Sequence, residues 1–100
     1  MNPQKEDVLG YLLTKKSDFQ RIFKVTKLSL FGSYALNQQT ENSDIDLLIE
    51  FAPNTEALFE KKAAIKEAIQ LKFNKRVALC REKYIKPYFK KQIFDSVIYV

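Results

Sequence analysis

Asp44 and Asp46 are two carboxylates one residue apart at the head of an apolar run, Ile45 to Phe51. On a strand, residues i and i+2 project from one face with Cα atoms about 6.5 Å apart. Two carboxylates on one face can hold divalent cations, and phosphate-transfer sites commonly use metals about 3.5–4 Å apart. An earlier apolar run (Leu28, Leu30, Phe31) stops at Gly32-Ser33, and ten residues separate Ser33 from Asp44. Gly32 tolerates unusual dihedrals and lets the backbone come close to a ligand. Ser33 is a good N-cap, so free backbone N–H groups there would point at an anion such as phosphate. Asn37 to Ser43 contains no apolar residue. The order predicted is strand, tight turn, short helix, loop, strand. A phosphate cradle facing paired carboxylates is what nucleoside triphosphate chemistry needs.

The stretch LFGSYALNQQTENSDIDLLIEF, Leu30 to Phe51, resembles the motif of the polymerase-beta-like nucleotidyltransferase superfamily. Its form is most similar to the minimal nucleotidyltransferases, often encoded beside a HEPN-domain partner as toxin–antitoxin pairs. Arg76 to Val100 is similar, more loosely, to the family's C-terminal strand-then-helix segment. The resemblance implies that Asp44 and Asp46 hold Mg²⁺ or Mn²⁺ and form the catalytic pair. It implies nucleotide binding by Gly32, Ser33 and Ser43, with ATP as substrate. It also implies a HEPN-type protein as partner, a hydroxyl of which would receive AMP, and an antitoxin role. Two positions depart from the family pattern. Its third carboxylate sits in a Val-Asp-Leu-like triplet, which here is Val77-Ala78-Leu79. The Arg-Gly that often follows Gly-Ser-x-Ala is replaced by Leu36-Asn37, which removes a cation that would steady a triphosphate. Glu50 is a poor substitute for the missing carboxylate, roughly 13 Å along the strand from Asp46. Cys80 shares a face with Ala78, but a thiolate is a soft ligand and magnesium prefers hard oxygens.

Composition narrows the chemistry. The chain of 100 residues is 46% hydrophobic with thirteen aromatics, which excludes a disordered segment and fits one domain, residues 1–100. It has no histidine, so His-based acid–base catalysis, Ser-His-Asp triads and the usual zinc sites are excluded. Carboxylates and oxygen-loving metals remain. The single cysteine, Cys80, forms no intrachain disulfide and is compatible with a reducing compartment. No apolar run approaches 18 residues and no signal-peptide pattern opens the chain, which predicts a soluble, cytoplasmic protein without membrane association. The net charge of +5 is segregated: residues 28–60 carry six acidic side chains and no Lys or Arg, whereas residues 61–100 carry eleven basic and three acidic ones. The acidic island suits a metal site. The basic part could attract a triphosphate, RNA or an acidic protein, or form a solvated lysine-rich face.

The elements that must position these residues follow from periodicity. Residues 4–14 predict a helix with Val8, Leu9, Leu12 and Leu13 at helical spacing. Ser17-Asp18-Phe19-Gln20 has capping-box form and predicts a second helix ending near Lys24, with Phe19, Ile22 and Phe23 buried. Lys27 to Phe31 and residues 45–52 predict strands, the second ended by Pro53-Asn54. Asn54 or Thr55 can cap a helix over 56–73 with Leu58, Ile65, Ile69 and Phe73 as its core stripe. A third strand is predicted over Arg76 to Cys80, and a last helix with Pro87 in its first turn. Val97 to Val100 fits a strand or a helix end. The predicted fold is a small α/β unit: a nucleotidyltransferase-type mixed sheet of three or four strands with helices packed mainly on one face.

Three functions stay open at this point. The first is an active metal-dependent nucleotidyltransferase. The second is a catalytically impaired homologue, lacking the carboxylate at Ala78, that acts by binding its partner. The third, least favoured because its aromatics have core-like spacing, is an RNA-binding module using the basic C-terminal part.

Overall fold

The structure is a computed structural model and describes residues 3–100. One continuous helix, α1 (Lys5–Phe23), opens the fold. The break expected at Ser17 is absent. Val8, Leu12, Phe19 and Phe23 follow one another by four, seven and four, so a single helical phase keeps all of them against the core. Asp18 faces outward and pairs with Arg21 at 3.0 Å instead of starting a new helix. Ile22, expected in the core, is 51% exposed, and Leu13 is 60% exposed, because both fall off that stripe. At the start, the Gln4 backbone N–H donates to Asp7 Oδ2 at 2.8 Å. At the end, Lys24 takes a left-handed conformation and donates its N–H to the Phe19 carbonyl.

That reversal feeds directly into β1 (Val25–Phe31), two residues earlier than expected. Then come α2 (Gly32–Ala35), β2 (Ile45–Phe51), α3 (Leu58–Phe73), β3 (Val77–Arg81), a 3₁₀ turn at Glu82–Tyr84, α4 (Pro87–Phe94) and β4 (Ile98–Tyr99). Neither Asn54 nor Thr55 caps α3. Asn54 occupies a left-handed turn position, Thr55 bonds back to Ala52, and Ala57, itself left-handed, is the N-cap. Pro87 stands at the start of α4 as expected. The undecided C-terminal residues form β4.

The four strands make one mixed sheet in the order β3-β2-β1-β4. β2 runs antiparallel to β1 and parallel to β3, and β4 closes the far edge antiparallel to β1. Leu28, Leu30, Ile45, Leu47 and Ile49 form one cluster with Val8, Leu12 and Phe19 of α1 and with Ile65 and Ile69 of α3. Each such side chain, fully buried, stabilises the fold by about 1.5–3 kcal/mol. The alternation that sends Ile45, Leu47 and Ile49 into this core sends Asp46 and Glu50 to the opposite face. That opposite face is covered at Leu48, which is 2% exposed, and is less buried at its ends, where Asp46 and Glu50 lie. No described helix is long and apolar enough to cross a membrane.

Candidate active site

β1 delivers the site's first half. It ends at Phe31, which is the N-cap of α2, and Gly32 follows with φ of +74°. Ser33 is therefore not the cap but lies inside the first turn. The N–H groups of that turn still lack intrahelical partners, since the helix's first closing bond runs from Leu36 N–H to the Gly32 carbonyl at 3.2 Å. Gln38 N–H then bonds to the Ser33 carbonyl at 2.8 Å and starts the polar loop. Tyr34 and Ala35 are buried and anchor this short helix.

β2 delivers the second half. Asp46 pairs with Phe31 on one side and with Ala78 on the other. Its carboxylate lies over Gly32 so closely that a β-carbon there would overlap Oδ2 and sit 3.1 Å from Cγ. The tolerance for an unusual dihedral expected of Gly32 is used, and the group pressed against it is Asp46. Asp44 lies just ahead of β2, where its Oδ1 meets Arg76 Nε at 3.2 Å. Burial raises the Asp46 carboxyl above the usual aspartate range, and the Asp44 charge raises it further. The two carboxylates are thus within electrostatic reach of each other. Ser43 shapes the loop between the halves: its Oγ accepts the Thr40 N–H at 2.9 Å, and its own N–H donates to the Thr40 carbonyl at 3.1 Å.

The donor set fits one hard divalent cation. Magnesium is usually held by one or two carboxylates, with phosphate oxygens and water completing the shell. Asp44 and Asp46 supply those two. No group of three or more His, Cys, Asp or Glu suited to a metal occurs among the described residues. Ala78 stands directly beside Asp46 in the parallel ladder, so the carboxylate missing from the sequence is missing at the site itself. Glu50 does not replace it. Arg81 Nη2 holds Glu50 Oε1 at 2.9 Å, and the Lys83 N–H holds Oε2 at 3.1 Å.

Arg76 is the neighbour that residue patterns alone did not single out. The signal was present in the register: counting two residues back from the Asp46–Ala78 pair sets Arg76 beside Asp44. Lys75, the residue before it, bonds to the Glu41 carbonyl and closes the loop over the start of β3.

The model of the nucleotidyltransferase domain family matches residues 14–100. The chain is 37% identical over 97 residues to a candidate protein adenylyltransferase, MJ0128 of Methanocaldococcus jannaschii, covering 94% of this chain and 95% of that one. Among solved structures, a candidate minimal nucleotidyltransferase superposes with a TM-score of 0.78 at 24% identity, covering 96% of this chain and 95% of the other. A Shewanella oneidensis MNT antitoxin in complex with tri-AMPylated HEPN toxin superposes with a TM-score of 0.63 at 16% identity. That match covers 96% of this chain and 71% of the other. These two likenesses show a shared fold.

Proposed function

The chain belongs to the nucleotidyltransferase domain family, and from that premise we propose that it transfers AMP from ATP to a hydroxyl of a HEPN-type protein partner, as an MNT-type antitoxin. The observation that carries this is the contact of Asp46 with Gly32. It sets the free N–H groups of the α2 turn, which suit phosphate oxygens, against the carboxylate that suits a cation. Gly32 and Ser33 bind the terminal phosphates, and the loop held by Ser43 borders them. Asp44 and Asp46 hold Mg²⁺ or Mn²⁺, which when bound neutralises phosphate charge. The name of the M. jannaschii relative and the AMPylated HEPN toxin of the S. oneidensis complex support adenylyl transfer to protein.

In the step itself, the acceptor hydroxyl oxygen attacks the α-phosphorus. A new oxygen–phosphorus bond forms as the bond to the bridging oxygen of pyrophosphate breaks, and the hydroxyl proton passes to water. Ala78 can take no proton, so catalysis rests on positioning and charge stabilisation. The same alanine favours a second function, nucleotide and partner binding without turnover. ATP radiolabelled at the α-phosphate, incubated with Mg²⁺ and a HEPN-type partner, separates the two. Label on the partner supports transfer. Bound ATP without label on the partner supports the impaired form.

A further inference from the structure

β3 is an edge strand, paired only with β2 among the described residues. The Arg76 carbonyl accepts the Ile45 N–H at 2.9 Å, so the peptide groups of 76, 78 and 80 turn inward and those of 77, 79 and 81 turn outward. The outward N–H of Val77 is met by the Gln70 side chain at 3.1 Å. The next outward groups belong to Leu79 and Arg81, and there a groove of about 460 Å³ opens between β3 and α4. Its apolar wall includes Leu79, Phe89 and Ile93, and its rim carries Lys62 and Lys86. α4 has no fully buried residue, and Phe89 is 46% exposed. Arg81, also in the groove, is already matched by Glu50, and no carboxylate lines the site. Lys62 and Lys86 make no ion pair among the described residues, so the positive charge of the rim is uncompensated.

The groove lies next along β3 from Ala78, the residue paired with Asp46. Cys80 lies in it, two residues beyond Ala78 on the face that Asp46 shares. The Cys80 thiol is raised by burial and feels both Lys62 and Asp46.

We propose that the β3–α4 groove docks an extended acidic segment of the acceptor protein, which adds to the edge of β3 at Leu79 and seats an apolar side chain against Phe89. Strand addition gives affinity through main-chain hydrogen bonds, and a side-chain pocket gives specificity. The carboxylates of the segment face Lys62 and Lys86. The docking role rests on the adenylyl-transfer function proposed above, because it brings a hydroxyl toward Asp46 from the side opposite Gly32.

The test uses a short fluorescein-labelled peptide alternating Asp or Glu with Leu and Tyr, its counterpart with Lys in place of each acid, and a labelled oligouridine. Fluorescence anisotropy at low salt should show binding of the acidic peptide alone. The Lys62→Glu/Lys86→Glu double variant should weaken it by about tenfold or more. Amide hydrogen exchange should slow at residues 79–81 when that peptide is added. MgATP affinity, measured by calorimetry, should be the same in wild type and variant. Equal binding of the acidic and basic peptides, an unaffected double variant, or protection outside β3 and α4 would overturn the proposal. Tighter binding of oligouridine than of the acidic peptide would overturn it in favour of RNA. Failure of MgATP to bind the wild type would instead count against the transfer function and leave the peptide result to stand alone.

Discussion

The Asp46 carboxylate fills the space that a β-carbon on Gly32 would need. Any larger residue at position 32 must therefore move the carboxylate, and it must also adopt a φ of +74° that L-residues avoid. We expect Gly32→Ala to lose about 1–2 kcal/mol from the dihedral alone and to lose metal-dependent nucleotide binding as well. Gly10 is the control. A β-carbon there meets nothing within 4 Å, and in a helix interior Gly10→Ala should stabilise by about 0.5–1 kcal/mol with binding unchanged. Thermal melts and ATP titrations of the two variants check both statements.

Ala78 stands beside Asp46 and is half-buried, on the face that carries the site and not in the core. Ala78→Asp should therefore fold, tighten metal binding and raise adenylyl transfer by about 10²–10⁴, the usual value of a positioned base. Without metal it should melt lower than wild type, because a third carboxylate crowds Asp44 and Asp46. A transfer assay with labelled ATP and melts with and without Mg²⁺ provide the check. An unchanged rate in a folded, metal-binding variant would favour the binding-only function.

Glu50 predicts an acid-sensitive contribution to stability. Burial alone would raise its carboxyl, but the Lys83 N–H and the Arg81 guanidinium outweigh this and hold it below the usual glutamate range. Lys27 faces it across β1 and leans toward Glu82 at 3.7 Å. A lowered folded pKa means that the stabilisation is complete above the unfolded value of 4.5 and is lost as pH falls through the folded one. Glu50→Gln should cost about 1–3 kcal/mol near neutral pH. The gap from wild type should close in acid, where both side chains are neutral. Urea titrations at the two pH values measure this directly.

Tyr34 is fully buried, and its hydroxyl has no hydrogen-bond partner among the described residues. Tyr34→Phe removes a buried polar group that gains nothing there, so stability should stay level or rise by about 1 kcal/mol. A drop of similar size in the melting experiment would show that the hydroxyl is satisfied in solution.

The motif was legible because Gly32, Asp44 and Asp46 each sit at the end of an apolar run, where strand alternation fixes their face. The stripe Leu58, Ile65, Ile69 and Phe73 marked α3 by its helical spacing, which the core packing keeps. What failed was local chemistry that tertiary packing overrode. Ser17 looked like a cap, yet the phase shared by Leu12 and Phe19 held α1 in one piece. Asn54 and Thr55 were better cap residues than Ala57, but Thr55 was committed to closing the preceding turn. Ser33 looked like a cap, but Phe31 holds that position, so α2 begins two residues earlier than the serine suggests. The Arg76–Asp44 and Arg81–Glu50 pairs join residues about thirty apart in sequence, and only the register of β2 against β3 brings them together.

In the proposed function, Asp44 and Asp46 hold the cation through which this fold binds ATP. Titration calorimetry of ATP into wild type and into Asp44→Asn/Asp46→Asn, each with Mg²⁺ and with chelator, tests it most directly. Wild type should bind only when Mg²⁺ is present, and the double variant should bind in neither condition. Equal binding by both proteins, or wild-type binding that persists in chelator, would contradict it.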